Sequence, residues 1–374
     1  MLPEPNFPVR PDHFIGRQSQ IKSFEEALRQ SFETQRTPSF AVLGDWGIGK
    51  SSLLLKFASI CASHPYALLP VIFSISKDLG DYHRLAESLL DKLTETLATS
   101  NSTSTRIRNE VQNWKLKRIN VAGFGLDRET KNFLSSGSAL LRHSLADAWR
   151  RFLEPAHFRG AIFFLDDLHN LRDTADIALA LRDQFQSFGI DGLNYSVCFS
   201  ARSDYFSGIR SFAEPAVRFY NKLYLAPFTL GETLEYVEAF FNASGQRPRE
   251  LTDWLFEKTL GYPYFLAFIS RQLLARAQGS RLVDAADHWP EIFHELEREK
   301  FSSDLANLSE KEVELLNAVA TCREQEFSPV QFVDRSHYEY FSRLTERGLL
   351  IRTKRGRYKL YHPLFRAFLS RTQP

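Results

Sequence analysis

The stretch Gly44-Asp45-Trp46-Gly47-Ile48-Gly49-Lys50-Ser51 has the Gly-x4-Gly-Lys-Ser spacing of a phosphate-binding loop. Its glycines let successive backbone N–H groups turn inward around the α- and β-phosphates of a nucleotide. A helix opening near Gly49 points its positive dipole end at the same anion. In such a loop Lys50 sits on the β/γ-phosphates and Ser51 offers its hydroxyl to Mg²⁺. The candidate nucleotide-binding residues here are Gly44, Asp45, Trp46, Gly47, Ile48, Gly49, Lys50, Ser51 and Ser52. Trp46 is a large aromatic at a variable position: it covers the phosphates, packs on a neighbouring subunit, or is buried against a lid, the last being the plainest account.

A phosphate-binding loop needs an acidic element at the carboxyl end of a neighbouring buried strand. Ile162-Phe163-Phe164-Leu165-Asp166-Asp167 supplies one. Asp166 is the candidate magnesium partner, through the ion's outer shell, and Asp167 the candidate for orienting or deprotonating the attacking water. The plainer alternative is that the pair caps the next helix.

These residues need strands and helices to hold them. Residues 1–13 carry four prolines and read as an extended arm. Ser19–Thr34 has apolar residues at helical spacing, and strand Phe40–Leu43 leads into the loop and a helix to about Ser59. Leu69–Ser76, Ala161–Leu165, Tyr195–Phe199 and Leu223–Leu225 read as further strands, with helices Ser138–Phe152 and Thr174–Phe188 between them. Alternating strands and helices predict an α/β fold with a doubly wound parallel sheet of five strands. Residues 99–138 interrupt the rhythm as an insertion, with a short hairpin expected over Ile119–Leu126.

After Thr229 the strands stop, and helical patterns follow at Gly231–Phe241, Glu250–Leu260, Pro263–Ala277 and Ala285–Phe301. From about Leu305 come three helical stretches. Then follow Leu349–Arg352, a turn at Thr353–Gly356, and Arg357–Tyr361, a β-hairpin. Helices followed by a hairpin outline a winged helix. The expected organisation is an arm at 1–13, a nucleotide core at 14–228, a helical lid at 229–304 and a winged helix at 305–374.

Together these motifs resemble the STAND class of AAA+-like P-loop ATPases, and within it the bacterial and archaeal group that opens with a Phe-x-Gly-Arg element. Here that element is Phe14-Ile15-Gly16-Arg17, and the resemblance places Ile15, Gly16 and Arg17 at the adenine. The double Asp also fits STAND proteins, where many AAA+ machines carry Asp-Glu. Ser200-Ala201-Arg202 is similar to the family's sensor-1 segment, which implies that Arg202 reads the γ-phosphate. With Lys50, Asp166 and Asp167 it completes the candidate catalytic set; Ser51 and Asp166 form the metal set. Gly261-Tyr262-Pro263 matches a Gly-x-Pro lid motif whose proline, here Pro263, packs beside the adenine, and Leu225–Thr229 is similar to the link from sheet to lid. Tyr361-His362-Pro363 resembles a Met-His-Asp position, implying that His362 contacts ADP, although Pro363 replaces the Asp; a surface or core histidine is the alternative. The resemblance spans residues 14–370 and implies ATP or ADP with Mg²⁺ as cofactors, and slow hydrolysis coupled to movement of lid and winged helix.

The downstream task is less defined by sequence. Signalling STAND proteins usually carry long repeat arrays, and no period of 20–50 residues is present, which disfavours a self-contained sensor with its own output and leaves a partner protein supplying sensor or effector as an open alternative. The competing reading is a DNA-binding ATPase of the initiator or transposition-regulator kind. Arg343 and Arg347 on the third helical stretch, with Arg352, Lys354, Arg355, Arg357 and Lys359 on the hairpin, are the candidate duplex-DNA residues. Against it, Glu346 interrupts the helix, and basic hairpins are commonly just solvated. A metabolic kinase fits the lid and winged helix poorly. Arg210 and Arg218 are candidates for an arginine supplied to a neighbouring subunit, in a nucleotide-dependent homo-oligomer.

Composition bounds the rest. At 374 residues with net charge +2, the chain is long enough for two or three domains and has no global attraction to nucleic acid or membranes. Three dispersed cysteines, no zinc spacing, no secretory leader and no long apolar run give the expectation of a cytoplasmic protein without membrane contact. The 32 phenylalanines are expected to build cores.

Overall fold

The computed structural model describes residues 3–79, 81–124, 133–171, 174–206, 214–241, 248–276, 285–334 and 337–371. The chain divides into two compact units. A sheet unit comprises Pro8–Gly44 and Gly49–Ala226, and a helical unit comprises Met1–Phe7, Asp45–Ile48 and Pro227–Pro374.

In the sheet unit the elements run α1 (Gln18–Thr34), β1 (Phe40–Leu43), α2 (Lys50–Ala62), β2 (Leu68–Ser74), α3 (Tyr82–Thr99), α4 (Thr105–Phe124), α5 (Phe133–Ala148), β3 (Gly160–Asp166), α6 (Thr174–Ile190), β4 (Tyr195–Ala201), α7 (Glu214–Phe219) and β5 (Asn221–Tyr224). The five strands form one sheet in the order β2-β3-β4-β1-β5, every pairing parallel. Parallel strands inside a sheet are covered on both faces, which explains the apolar runs of β1 and β3, whereas the edge strand β5 buries only Leu223. Alternate residues feed two cores. Phe163, Leu165, Val197 and Phe199 join Leu85, Leu89, Phe152 and Phe188 in one cluster. On the other face Phe40 lies 4.9 Å from Phe24, which stacks on Phe57 at 3.9 Å. Cys61 and Cys198 are buried free thiols, and Cys322 is partly buried and free.

Two local expectations are corrected. No hairpin forms at Ile119–Phe124, which continue the helix α4; the rest of that expected hairpin falls in residues 125–132, outside the described residues. A run with no glycine before 123 lets a nucleated helix propagate through it. The proline-rich arm is also more than a free extension. Val9 N–H donates to Ser52 Oγ at 3.1 Å, and the Pro11 carbonyl accepts from Lys56 Nζ at 3.2 Å. Proline removes N–H donors but leaves carbonyls and neighbouring amides able to bond.

The helical unit runs α8 (Leu230–Phe241), α9 (Pro248–Thr259), α10 (Pro263–Arg276) and α11 (Trp289–Leu296). From α11 the chain passes through a π-helical turn at Glu297–Phe301 into α12 (Ser302–Leu305). It then continues as α13 (Glu310–Thr321), a 3₁₀ turn Pro329–Gln331, α14 (Glu339–Glu346), the antiparallel hairpin β6 (Leu350–Lys354) and β7 (Arg357–Leu360), and α15 (Pro363–Arg371). A bridge between Phe327 and Tyr358 adds a third short edge to the hairpin, giving the winged-helix outline. Its second helical stretch is only the 3₁₀ turn, opened by Ser328 and Pro329, and α15 after the hairpin was not foreseen. Of the phenylalanine-rich runs, Phe163, Phe164, Phe241, Phe265 and Phe268 are buried core, and Phe240 is half-buried.

Candidate nucleotide site

In the sheet unit, strands β1, β3 and β4 deliver their carboxyl ends to one place. Gly44 N–H donates to the Ala201 carbonyl at 3.2 Å, so the loop leaves β1 anchored to β4. Gly49 caps α2 at φ +93°, a conformation open to glycine, and a Cβ there would meet no atom within 4 Å. That open space is a cradle in which backbone can approach a phosphate. Lys50, the first residue of α2, is buried among these strand ends, with Ser51 and Ser52 half-buried behind it.

Asp166 ends β3, and Ser200 on β4 joins the acidic pair. Ser200 Oγ donates to Asp166 Oδ1 at 2.5 Å and accepts from Asp167 N–H at 2.8 Å. Asp167 adopts a left-handed conformation at φ +59°, uncommon outside glycine and tolerated best by Asp and Asn. Burial and the adjacent Asp166 push the Asp167 carboxyl above its ordinary range, against the pull of Lys50. A 3₁₀ turn, Leu168–Asn170, follows, tied down by Asn170 Nδ2 donating to the Ile75 carbonyl at 2.9 Å.

His169 on that turn is a site residue that the motif reading missed. Burial lowers its pKa to about 4, helped by the nearby Lys50 and Arg202 cations, so its ring is neutral at physiological pH. Its place three residues after Asp166, in Asp-Asp-Leu-His, was the available signal. Arg202 follows β4 as expected, and its guanidinium is held by Asp204 through Nε–Oδ1 at 3.1 Å and Nη2–Oδ2 at 2.7 Å. The opening element lies in the same unit. Gly16 and Arg17 have φ of +72° and +61°, and Arg17, buried, donates to the Ala226 carbonyl at 2.5 Å. Ile15 is half-buried beside them in the chain. Arg218 pairs with Glu214 at 2.5 Å, and Arg210 lies outside the described residues.

The donor set fits Mg²⁺ held mainly by phosphate and water. Ser51 and Asp166 offer hard oxygen, and among the described residues no group of three His, Cys, Asp or Glu could hold a metal alone. Oδ1 of Asp166 accepts from Ser200 Oγ.

The apex of the loop, Asp45–Ile48, belongs to the helical unit. The Gly47 carbonyl accepts from the Tyr264 N–H at 3.1 Å, and a Cβ on Gly47 would stand 2.9 Å from Tyr264 Cβ. The Trp46 ring lies 4.5 Å from Tyr264 and under Lys300 Nζ at 3.8 Å. Lys300 pairs with Asp304, whose Oδ2 accepts from Tyr361 Oη at 3.1 Å. Gly261 is required where it stands: at φ +74° its added Cβ would fall 2.1 Å from the Phe228 carbonyl oxygen. Pro263, half-buried, opens α10 directly after it.

His362 is buried, with Nε2 at 2.9 Å from the Thr259 carbonyl and Nδ1 accepting from Leu364 N–H at 3.1 Å. Its ring packs 4.1 Å from Phe265, and burial lowers its pKa to about 4. Of the basic residues, Arg343 pairs with Glu339, Arg347 donates to the Asn307 carbonyl, and Arg357 pairs with Glu324. Arg352, Lys354 and Arg355 are exposed around the hairpin turn.

Residues 13–186 match the family model described as an AAA ATPase domain. The chain carries an AAA ATPase domain. ATP hydrolysis is the activity this domain brings. The match covers the phosphate loop, α2 and the Asp166-Asp167 strand. Comparison with curated proteins gives no match. Among solved structures, the Walker-type ATPase PABY2304 of Pyrococcus abyssi is similar with a TM-score of 0.59 and 15% identity, over 96% of this chain and 97% of that one. The ORC2 protein of Aeropyrum pernix, described with ADPNP and ADP, has a TM-score of 0.59 and 12% identity, over 98% and 96%. The ORC1 protein of the same organism, in complex with DNA, has 0.50 and 12%, over 96% and 93%. At these identities the likeness is one of fold. Among the described residues no helix is long and apolar enough to cross a membrane.

Proposed function

We propose that this AAA ATPase domain drives a STAND-like switch, in which ATP·Mg²⁺ binding and slow hydrolysis control the state of the lid and winged-helix segments. Lys50 and the backbone of Gly44–Ser52 hold the phosphates, and Ser51 with Asp166 partners the magnesium. Asp167 orients or deprotonates the attacking water, and Arg202, released from Asp204, reads the γ-phosphate. Ile15, Gly16, Arg17 and Pro263 serve the adenine, and His362 would have to leave the Thr259 carbonyl and the Leu364 N–H to contact ADP, so its present place is that of a core histidine. A cytoplasmic setting, a protein partner supplying signal or output, and nucleotide-dependent self-assembly belong to the same reading.

One observation carries it. The residues that wrap the phosphates are continuous with an apex bonded to α10 through Gly47 and Tyr264 and wedged beside Lys300 through Trp46. A ligand that reshapes the loop has to act on those contacts, so it has differential free energy for two states of the helical unit. The test is amide hydrogen exchange of segments 261–276 and 350–360 with ATP·Mg²⁺, with ADP, and without nucleotide. Distinct protection in the ATP and ADP states, absent in Lys50→Ala, is expected; identical protection in all states would sink the switch.

The exposed, closely spaced cations Arg352, Lys354 and Arg355 favour a second reading, in which duplex DNA binds the wing and stimulates hydrolysis. Arg343, Arg347 and Arg357 would have to leave their present partners to join them. Steady-state ATPase at fixed low salt, with and without duplex, decides it. Stimulation lost when Arg352, Lys354 and Arg355 are all changed to Ala supports the reading, and a rate indifferent to DNA removes it.

A further inference from the structure

His169 has no role in the account above, yet its ring carries an unmet hydrogen-bonding demand. Its Nδ1 is fully covered and has no hydrogen-bond partner among the described residues. A buried polar atom left so costs about 1–3 kcal/mol, and in native proteins such atoms call for a reason. The same Nδ1 stands 4.0 Å from Asp167 Oδ1. Both residues ride on a backbone that is fixed: Asp167 N–H is bonded to Ser200, Asn170 N–H donates to the Asp167 carbonyl at 2.9 Å, and Asn170 Nδ2 is bonded to Ile75. What remains free is the Asp167 carboxylate, whose side chain is 40% exposed.

We propose that His169 is a positioning residue for ATP hydrolysis: its Nδ1–H closes on the Asp167 carboxylate as substrate binds and fixes which oxygen faces the attacking water. The proposal rests on Asp167 being the water-orienting carboxylate. Closing 4.0 Å to a normal hydrogen bond takes a shift of about 1 Å, and catalytic hydrogen bonds commonly tighten only in the complex. The ring must be neutral to do this without protonating the base. Lys50 and Arg202 on one side disfavour an imidazolium, while the carboxylates Asp166 and Asp204 also face it and partly compensate. A neutral donor orients the Asp167 carboxylate without handing its own proton to it.

The experiment is a set of four proteins, His169→Ala, His169→Asn, Asp167→Asn and the His169→Ala/Asp167→Asn double, each checked for folding by thermal denaturation. Steady-state hydrolysis is measured with a separate nucleotide-binding titration. Asn places an amide nitrogen near the position of Nδ1, so it tests the donor rather than the ring. His169→Ala is expected to lower kcat about 10-fold or more with nucleotide affinity unchanged, His169→Asn to restore most of the rate, and the double variant to be no slower than Asp167→Asn alone. Equal losses for Ala and Asn, a loss confined to nucleotide affinity, or additive losses in the double variant would each overturn the proposal. An Asp167→Asn protein with wild-type kcat would remove the assignment of Asp167 itself, and this proposal with it. A wild-type rate in His169→Ala beside an impaired Asp167→Asn would remove this proposal alone.

Discussion

Lys300 Nζ lies 3.8 Å above the centre of the Trp46 ring, at the apex of the Gly44–Ser51 loop. Trp46 is 44% exposed, so the indole is held by one face and an edge, not sealed in a core. Lys300 is only partly solvated: burial lowers its pKa, and Asp304 offsets only part of that. Asp304 in turn takes the Tyr361 hydroxyl at the end of β7. A loop residue, a lid residue and a hairpin residue thus share one charged cluster.

Trp46→Ala removes the cation–π contact, worth about 0.5–2 kcal/mol, and the Tyr264 ring contact, while leaving Lys300 paired with Asp304. The helical unit should melt a few degrees lower, and the ATP-dependent change in hydrogen exchange of segment 350–360 should shrink. Trp46→Phe should retain more of both. An exchange response in Trp46→Ala as large as in wild type would mean that the coupling runs elsewhere.

Ser200→Ala tests the bridge between the two acidic residues. Ser200 is fully buried, and the change leaves the Asp167 N–H and one Asp166 oxygen without their partner. A cost of about 1–3 kcal/mol is expected from the orphaned groups, read as a lower denaturant midpoint. A midpoint within error of wild type would show that other groups or water satisfy both atoms.

His362 gives a pH dependence with a definite sign. Its folded-state pKa of about 4 lies below the ordinary 6.5, so between these values the unfolded chain binds the proton first. Its contribution is full above about pH 6.5 and is lost as pH falls towards 4, by up to about 1.4 kcal/mol per pH unit. Chemical denaturation from pH 7 to 5 should show this slope in wild type and a shallower one in His362→Phe. Parallel slopes in the two proteins would contradict it.

Much of the fold was legible because its signals are local. Phe40–Leu43 of β1 and Ala161–Leu165 of β3 are apolar runs between polar turns, and a parallel sheet buries both faces of such runs. The hairpin β6–β7 was legible from its turn, where Gly356 takes φ +73°. The insertion at 99–138 was legible as an interruption, but its helix was not, since α4 lacks a marked apolar stripe, and neither was α15, whose opening Pro363 reads equally as a stop and as a first helical residue.

The sequence alone marked the candidate chemistry of the ATPase domain: Gly49, Lys50 and Ser51 are adjacent in the chain, as are Asp166 and Asp167, and such local patterns are readable without the fold. Tertiary structure decided everything that depends on residues far apart. Only folding brings Ser200 to Asp166, 34 positions away, leaves His169 Nδ1 covered and unbonded, and sets Lys300 over Trp46. The reason is physical: a phosphate loop is specified by local backbone conformation, whereas the worth of a hydrogen bond or a charge depends on the desolvation that distant segments impose.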